Sequence, residues 1–167
     1  MSVFISFHLK DRYYADKISV MLKENSIKHF IVPNDYDPDG KHHQTVKDDI
    51  IRKMDKCTVI ICIVGTETYS RPHVDWELYN GLKGGPSVRK GIIAVLLEER
   101  GDNKNAIESD TFPTRLLKNN NYVIFEQYAS INARLEHCIE EAECRSRENY
   151  AVHNPSPMPL RNKRIQN

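Results

Sequence analysis

The sequence predicts a doubly wound α/β domain, a five-stranded parallel sheet with strand order 2-1-3-4-5 and helices on both faces. Two observations predict it. Apolar runs alternate with amphipathic segments five times along the chain. The inner runs, "TVIICIV" and "GIIAVLL", are continuously apolar and do not alternate, as strands buried on both faces require.

Each element has its own signal. The first run is "VFISF". In the following "HLKDRYYADKISVMLKENS", Tyr14, Ile18 and Leu22 recur at helical spacing, with Ala15 and Met21 beside them. Asp11 stands where an N-cap belongs. "IKHFIV" reads as the second strand, stopped by Pro33, and the turn-rich "PNDYDPDG" follows. "HQTVKDDIIRKMDK" sets Val46, Ile50 and Met54 on one helical face. After the third strand, "TVIICIV", the stretch "SRPHVDWELYNGL" reads as a helix with Val74, Leu78, Gly81 and Leu82 on one face. "GIIAVLL" is the fourth strand. The polar loop "EERGDNKNAIESDTFP" leads to a short helical "TRLLKN", and "NYVIFEQ" is the fifth strand. "SINARLEHCIEEAECRSR" closes the domain as a helix, with Ser130 as N-cap and Ile131, Leu135, Cys138, Ile139 and Ala142 turned inward. The domain is expected over 1–147. Residues 148–167 form a proline-containing tail, draped over the domain or a neighbour.

Composition narrows the function classes. With 24 Lys+Arg against 23 Asp+Glu, the formal net charge is +1. A balance this even draws neither nucleic acid nor an anionic membrane to the whole molecule. No apolar run approaches the roughly 20 residues of a membrane span. "MSVFISFHLKD" lacks a basic start and a small-residue cleavage site, so it reads as a strand and not a signal peptide. The four cysteines, Cys57, Cys62, Cys138 and Cys144, form no C-x-x-C pair. They are expected to be reduced, mostly buried thiols of a cytoplasmic protein. Cys57 and Cys62 are expected on opposite faces of the third strand.

In a doubly wound sheet, ligands bind at the carboxyl ends of the strands where strand order reverses. Here that point lies between the first strand, ending in Ser6, Phe7 and His8, and the third, ending in Gly65, Thr66 and, after a turn, Ser70. Glu77 follows on the flank of the next helix. It either borders this crevice or is an ordinary solvated helix residue. Trp76 falls nearly opposite the apolar face, where a large aromatic suits a cleft rim or a contact between copies. Other sites fail on pattern. There is no G-x-G-x-x-G and no G-x-x-x-x-G-K-[ST], and Val64-Gly65 stands where a phospho-receiver carries Asp. Asp35, Asp37, Asp39 and Gly40 imitate the start of a calcium loop, but Val46 holds the position of the closing Glu, so a plain turn is expected. His42-His43 has no partner at metal spacing, and no metal site is expected.

"VFISFHLKD", "VIICIVGTETYSRPHVDWEL" and "KGIIAVLL" together resemble a TIR domain, most nearly the TIR-like proteins of bacterial Thoeris anti-phage systems. The resemblance runs over about residues 1–145 by motif order and element spacing. Its strongest part is a buried strand, a small-residue turn, Ser70, and an aromatic directly before Glu, Trp76-Glu77. Pro72-His73 stands where ordinary TIR domains carry Trp. The resemblance implies a flavodoxin-like fold and cleavage of the nicotinamide–ribose bond of NAD, with NAD as substrate and no cofactor. It implies Glu77 as the catalytic residue. The product would be a cyclic or otherwise modified ADP-ribose that activates an effector after a phage-derived trigger. Phe7 could stack on a base and His8 could contact phosphate or ribose. The alternatives for these two are a core Phe and a satisfied strand-end His. Two other readings stand beside the enzyme. One is a non-catalytic TIR module that self-associates. The other is a nucleoside deoxyribosyltransferase-like enzyme in which Asp35 or Asp37 meets the nucleobase.

Overall fold

The computed structural model describes residues 1–32 and 43–159. Among these, five strands form one parallel sheet, ordered β2-β1-β3-β4-β5. They are β1 Ser2–Ser6, β2 Lys28–Ile31, β3 Val59–Val64, β4 Gly91–Leu96 and β5 Ile124–Gln127. This is the fold class and the strand order that the alternating apolar runs predict. Every residue of β1, β3 and β4 is buried, which is why these stretches show no polar alternation.

The connections are α1 Arg12–Glu24, α2 His43–Asp55, α3 Pro72–Gly81, α4 Thr114–Lys118 and α5 Tyr128–Arg147. Successive strand residues point to opposite faces. On β4, Gly91 lies against Ala142 of α5, and the next residue, Ile92, lies near Gly81 of α3. Thus α5 covers one face and α3 the other. α1 joins α5, with the Tyr14 and Tyr128 rings edge-to-face at 4.8 Å. α2 reaches α3, with Lys47 Nζ 5.2 Å from the centre of the Trp76 ring. A Cβ on Gly91 would fall 2.4 Å from the Ala142 carbonyl oxygen, so only glycine lets α5 sit this close to the sheet.

The helical faces read from the sequence are the buried ones. Ala15, Ile18 and Leu22 are buried on α1, and Val74, Leu78 and Gly81 on α3, followed by Leu82. Ile131, Leu135, Cys138, Ile139 and Ala142 are buried on α5. Each large aliphatic side chain among them contributes about 1.5–3 kcal/mol by leaving water.

Three local expectations need correction. Ser130 is not the N-cap of α5. β5 runs into the helix without a loop, Gln127 takes the cap position, and the Ser130 hydroxyl instead donates to Glu126 Oε1 at 2.7 Å. Cys57 is buried but precedes β3, in the turn after α2, where its thiol donates to the Lys53 carbonyl. Asp11 stands at the N-cap position of α1 but makes no side-chain capping bond, because its carboxylate turns toward β3. Cys57, Cys62 and Cys138 are buried, Cys144 is exposed, and all four are free. Among the described residues, no helix is long and apolar enough to cross a membrane.

Candidate active site

β1 and β3 are neighbours in the sheet, and Ser6 and Cys62 are register partners at their carboxyl ends. Cys62 shares a strand face with Ile60, the residue nearest Gly81, so this end of β3 is turned toward α3. The Ser6 hydroxyl donates to Glu77 Oε2 at 2.5 Å across that gap. Glu77 is 1% exposed and is no solvated helix residue. Burial pushes its carboxyl up to about 8, and the Ser6 hydrogen bond offsets this only in part. The Cys62 thiol is also raised by burial and by Glu77.

The two residues after Ser6 are tied to the same region. The Phe7 carbonyl accepts from His73 Nε2 at 3.3 Å. The Phe7 ring is buried, with the Arg12 guanidinium 5.4 Å from its centre. His8 Nε2 lies 3.7 Å from Glu67, and the His8 and His73 ring centroids are 6.3 Å apart. Burial, then Arg71 and His73, lower His8 to about 4, so it is neutral at ordinary pH. Glu67 gathers the charges here. It accepts from Lys10 Nζ at 2.7 Å and from Arg71 Nη2.

Three polar atoms in this region are buried without a hydrogen-bond partner among the described residues: Glu77 Oε1, His8 Nδ1 and Arg71 Nε. Leaving a buried polar group unpaired costs about 1–3 kcal/mol. Such groups concentrated at a strand-order reversal are the mark of a polar ligand site.

A second buried carboxylate, Asp11, organises the turn after β3. The Thr68 hydroxyl accepts from the Gly65 amide at 2.9 Å and lies 3.5 Å from Asp11 Oδ2. A Cβ on Gly65 would sit 2.5 Å from Asp11 Oδ2, so any larger residue there would displace the Asp11 carboxylate. Burial, then Glu99, push Asp11 up to about 6.

The remaining residues named from sequence are spread around this centre. Thr66 is exposed. The Ser70 hydroxyl donates to the Glu67 carbonyl at 3.0 Å and closes a 3-10 turn, Thr68–Ser70. Trp76 is half-buried and packs partly against the core, with Lys47 over its ring. Asp35, Asp37, Asp39, Gly40 and His42, with the turn expected there, lie outside the described residues. Sequence reasoning missed Lys10, Asp11, Glu67, Arg71 and His73 as site residues. The Glu67/Arg71 spacing of four was a usable signal. Asp11 gave none, since its partner Thr68 lies 57 residues away. Among the described residues, no group of three His, Cys, Asp or Glu side chains is placed to hold a metal ion.

The family model described as Thoeris protein ThsB, TIR-like domain, matches residues 4–102. The chain belongs to this family. The match takes in the last three residues of β1 and all of β3, α3 and β4, and with them Ser6, the turn after β3 and Glu77. It ties this TIR-like domain to Thoeris-type anti-phage defence. A comparison with curated protein sequences returned no significant match.

Proposed function

We propose that this TIR-like domain cleaves the nicotinamide–ribose bond of NAD, with Glu77 as the catalytic residue. The observation that carries the reading is the orphaned Oε1 of a buried Glu77 whose other oxygen is held by Ser6. One carboxylate suffices for this chemistry. Nicotinamide leaves as a neutral base from a cationic pyridinium, so no general acid is needed, in contrast to ordinary glycosidases with their two carboxyl groups. The free Glu77 oxygen accepts from a ribose hydroxyl, and its charge stabilises the oxocarbenium-like transition state. A bound pyridinium cation favours the ionised carboxyl and so opposes the effect of burial.

Arg71 Nε and His8 Nδ1 supply unpaired polar atoms for the diphosphate and ribose, and Lys10 adds positive charge. Trp76, Thr66 and Ser70 belong to the rim, and Phe7 stacks on a base only if Arg12 moves off its ring. Asp35 contributes from outside the described residues. At 1% exposure Glu77 is shielded, so substrate entry requires the crevice to widen. Water as second nucleophile gives ADP-ribose, and a hydroxyl or ring nitrogen of the same molecule gives a cyclic product. That product is the signal to a downstream effector, released in the cytoplasm on a phage-derived trigger, with TIR–TIR self-association as a means of control. NAD is the substrate, and no cofactor or metal takes part. The test is incubation of the purified full chain with NAD, with and without phage-infected lysate, and identification of products by mass spectrometry. Release of nicotinamide together with an ADP-ribose species supports the reading; intact NAD in both arms contradicts it.

A further inference from the structure

The chain beyond α5 is strapped across the outer side of α3 and α4. Arg89 donates to the Glu148 and Tyr150 carbonyls at 2.6 and 2.9 Å. Tyr150 and Val152 pack against the core. From His153 onward the attachment is largely polar. The Asn119 side chain exchanges two hydrogen bonds with the His153 backbone, at 2.9 and 2.8 Å. Asn154 Nδ2 donates to the Tyr79 carbonyl at 3.1 Å. The Met158 amide donates to Asp75 Oδ2 at 2.8 Å.

Arg115 joins these contacts. Its Nε and Nη2 pair with the two oxygens of Asp75 at 2.8 and 3.0 Å, and its Nη1 donates to Asn154 Oδ1 and the Pro155 carbonyl at 2.7 and 3.0 Å. Asp75 and Tyr79 lie on one side of α3. Glu77, midway between them, lies on the other at about 100° per residue. α3 has ten residues and no side-chain N-cap bond, so little beyond tertiary contact holds it. Pro155, Pro157 and Pro159 favour an extended strap and reduce the entropy lost on docking.

We propose that Asp75 and Arg115 are positioning residues for Glu77: with the strap docked on them, they hold α3 from its outer side and keep Glu77 on Ser6. The inference deepens the NAD-cleaving reading and rests on it for its effect on turnover. A cavity of about 340 Å³ lies between the strap and α3, lined in part by Asp75, Arg115 and Met158; none of Ser6, His8 or Glu77 lines it. Thr68 and Tyr69 of the turn after β3 also line this cavity, and the strap's link to Glu77 runs through α3.

Two full-length variants test the proposal. Asp75→Asn weakens the ion pair and its bond to Met158. Asn154→Ala removes the Asn154 side-chain bonds to Arg115 and Tyr79 and leaves the Arg115 bond to the Pro155 carbonyl in place. Amide exchange over residues 74–82 should quicken by about tenfold, the scale of one or two lost hydrogen bonds, while β3 and β4 stay protected. Glu77 is faced by Ser6 from β1 and by the Cys62 thiol from β3, which also senses Asp11. As α3 loosens and water enters, the Glu77 carboxyl resonance should titrate at lower pH. Neither readout needs turnover, so both hold their meaning if the parent does not cleave NAD. With an active parent, kcat should fall about tenfold while KM changes less than about twofold. Parent-like exchange and Glu77 titration in both variants overturn the proposal. So does a rise in kcat, which would make the strap a brake.

Discussion

Glu77 is held as a buried acid, and that has a consequence for stability. Its folded value of about 8 lies above the ordinary 4.5 of the unfolded chain. The folded state therefore holds a proton that the unfolded state releases between these values. The Glu77 contribution to stability is whole below about 4.5 and is lost as pH rises through about 8. Glu77→Gln keeps the shape and the Ser6 contact but cannot ionise. It should match the parent at pH 4 and exceed it at pH 9 by a few kcal/mol, or about 5–10 °C in thermal midpoint, on the order given by the linkage relation. Calorimetry at the two pH values checks this, and an equal difference at both would reject burial as the cause. The expectation of a flank carboxylate located the residue but underestimated its enclosure. Helical angles fix direction from the axis, whereas enclosure depends on how closely α3 approaches β1, which no local pattern carries.

Among the elements, what was legible depended on the range of the signal. The inward faces of α1, α3 and α5 follow from 3.6-residue periodicity, and β1, β3 and β4 from apolar runs, because each signal is local. Non-local partners left no trace. Arg100 sits in what reads as a plain polar loop, yet it donates to the Gly65 and Thr111 carbonyls, pairs with Asp102 and fixes that loop against the turn after β3. Ser130 resembles a cap only if a loop separates β5 from α5. Gly91 shows the same limit, since its need appears only with Ala142 above it. Gly91→Ala should force α5 away from β4 and cost about 1–3 kcal/mol, the usual range for overpacking. Denaturant titration would show a lower midpoint with an unchanged slope; a midpoint equal to the parent's would contradict the close approach.

At the scale of the whole molecule, the parallel sheet brings the ends of β1 and β3 together, and the site follows from that topology. Ser6 and Glu77 are 71 residues apart in sequence yet share a hydrogen bond. The charge state of this pair should govern the pH dependence of turnover. Catalysis needs ionised Glu77, so kcat/KM should fall about tenfold per unit below a limb near pH 8, the value of the free protein. In kcat the limb should lie lower, because bound pyridinium favours the carboxylate. His8, lowered to about 4, adds no second limb in this range. Initial rates from pH 5.5 to 9.5 check the profile, and a flat kcat/KM would remove Glu77 as the titrating group. Nicotinamide release from NAD by the parent and Glu77→Gln, under the conditions that activate the parent, decides the role of Glu77. With Glu77 catalytic, the folded variant binds NAD much as the parent does and turns it over at least about 100-fold more slowly, the scale of a lost transition-state contact. A folded Glu77→Gln protein that releases nicotinamide at the parent's rate would contradict it.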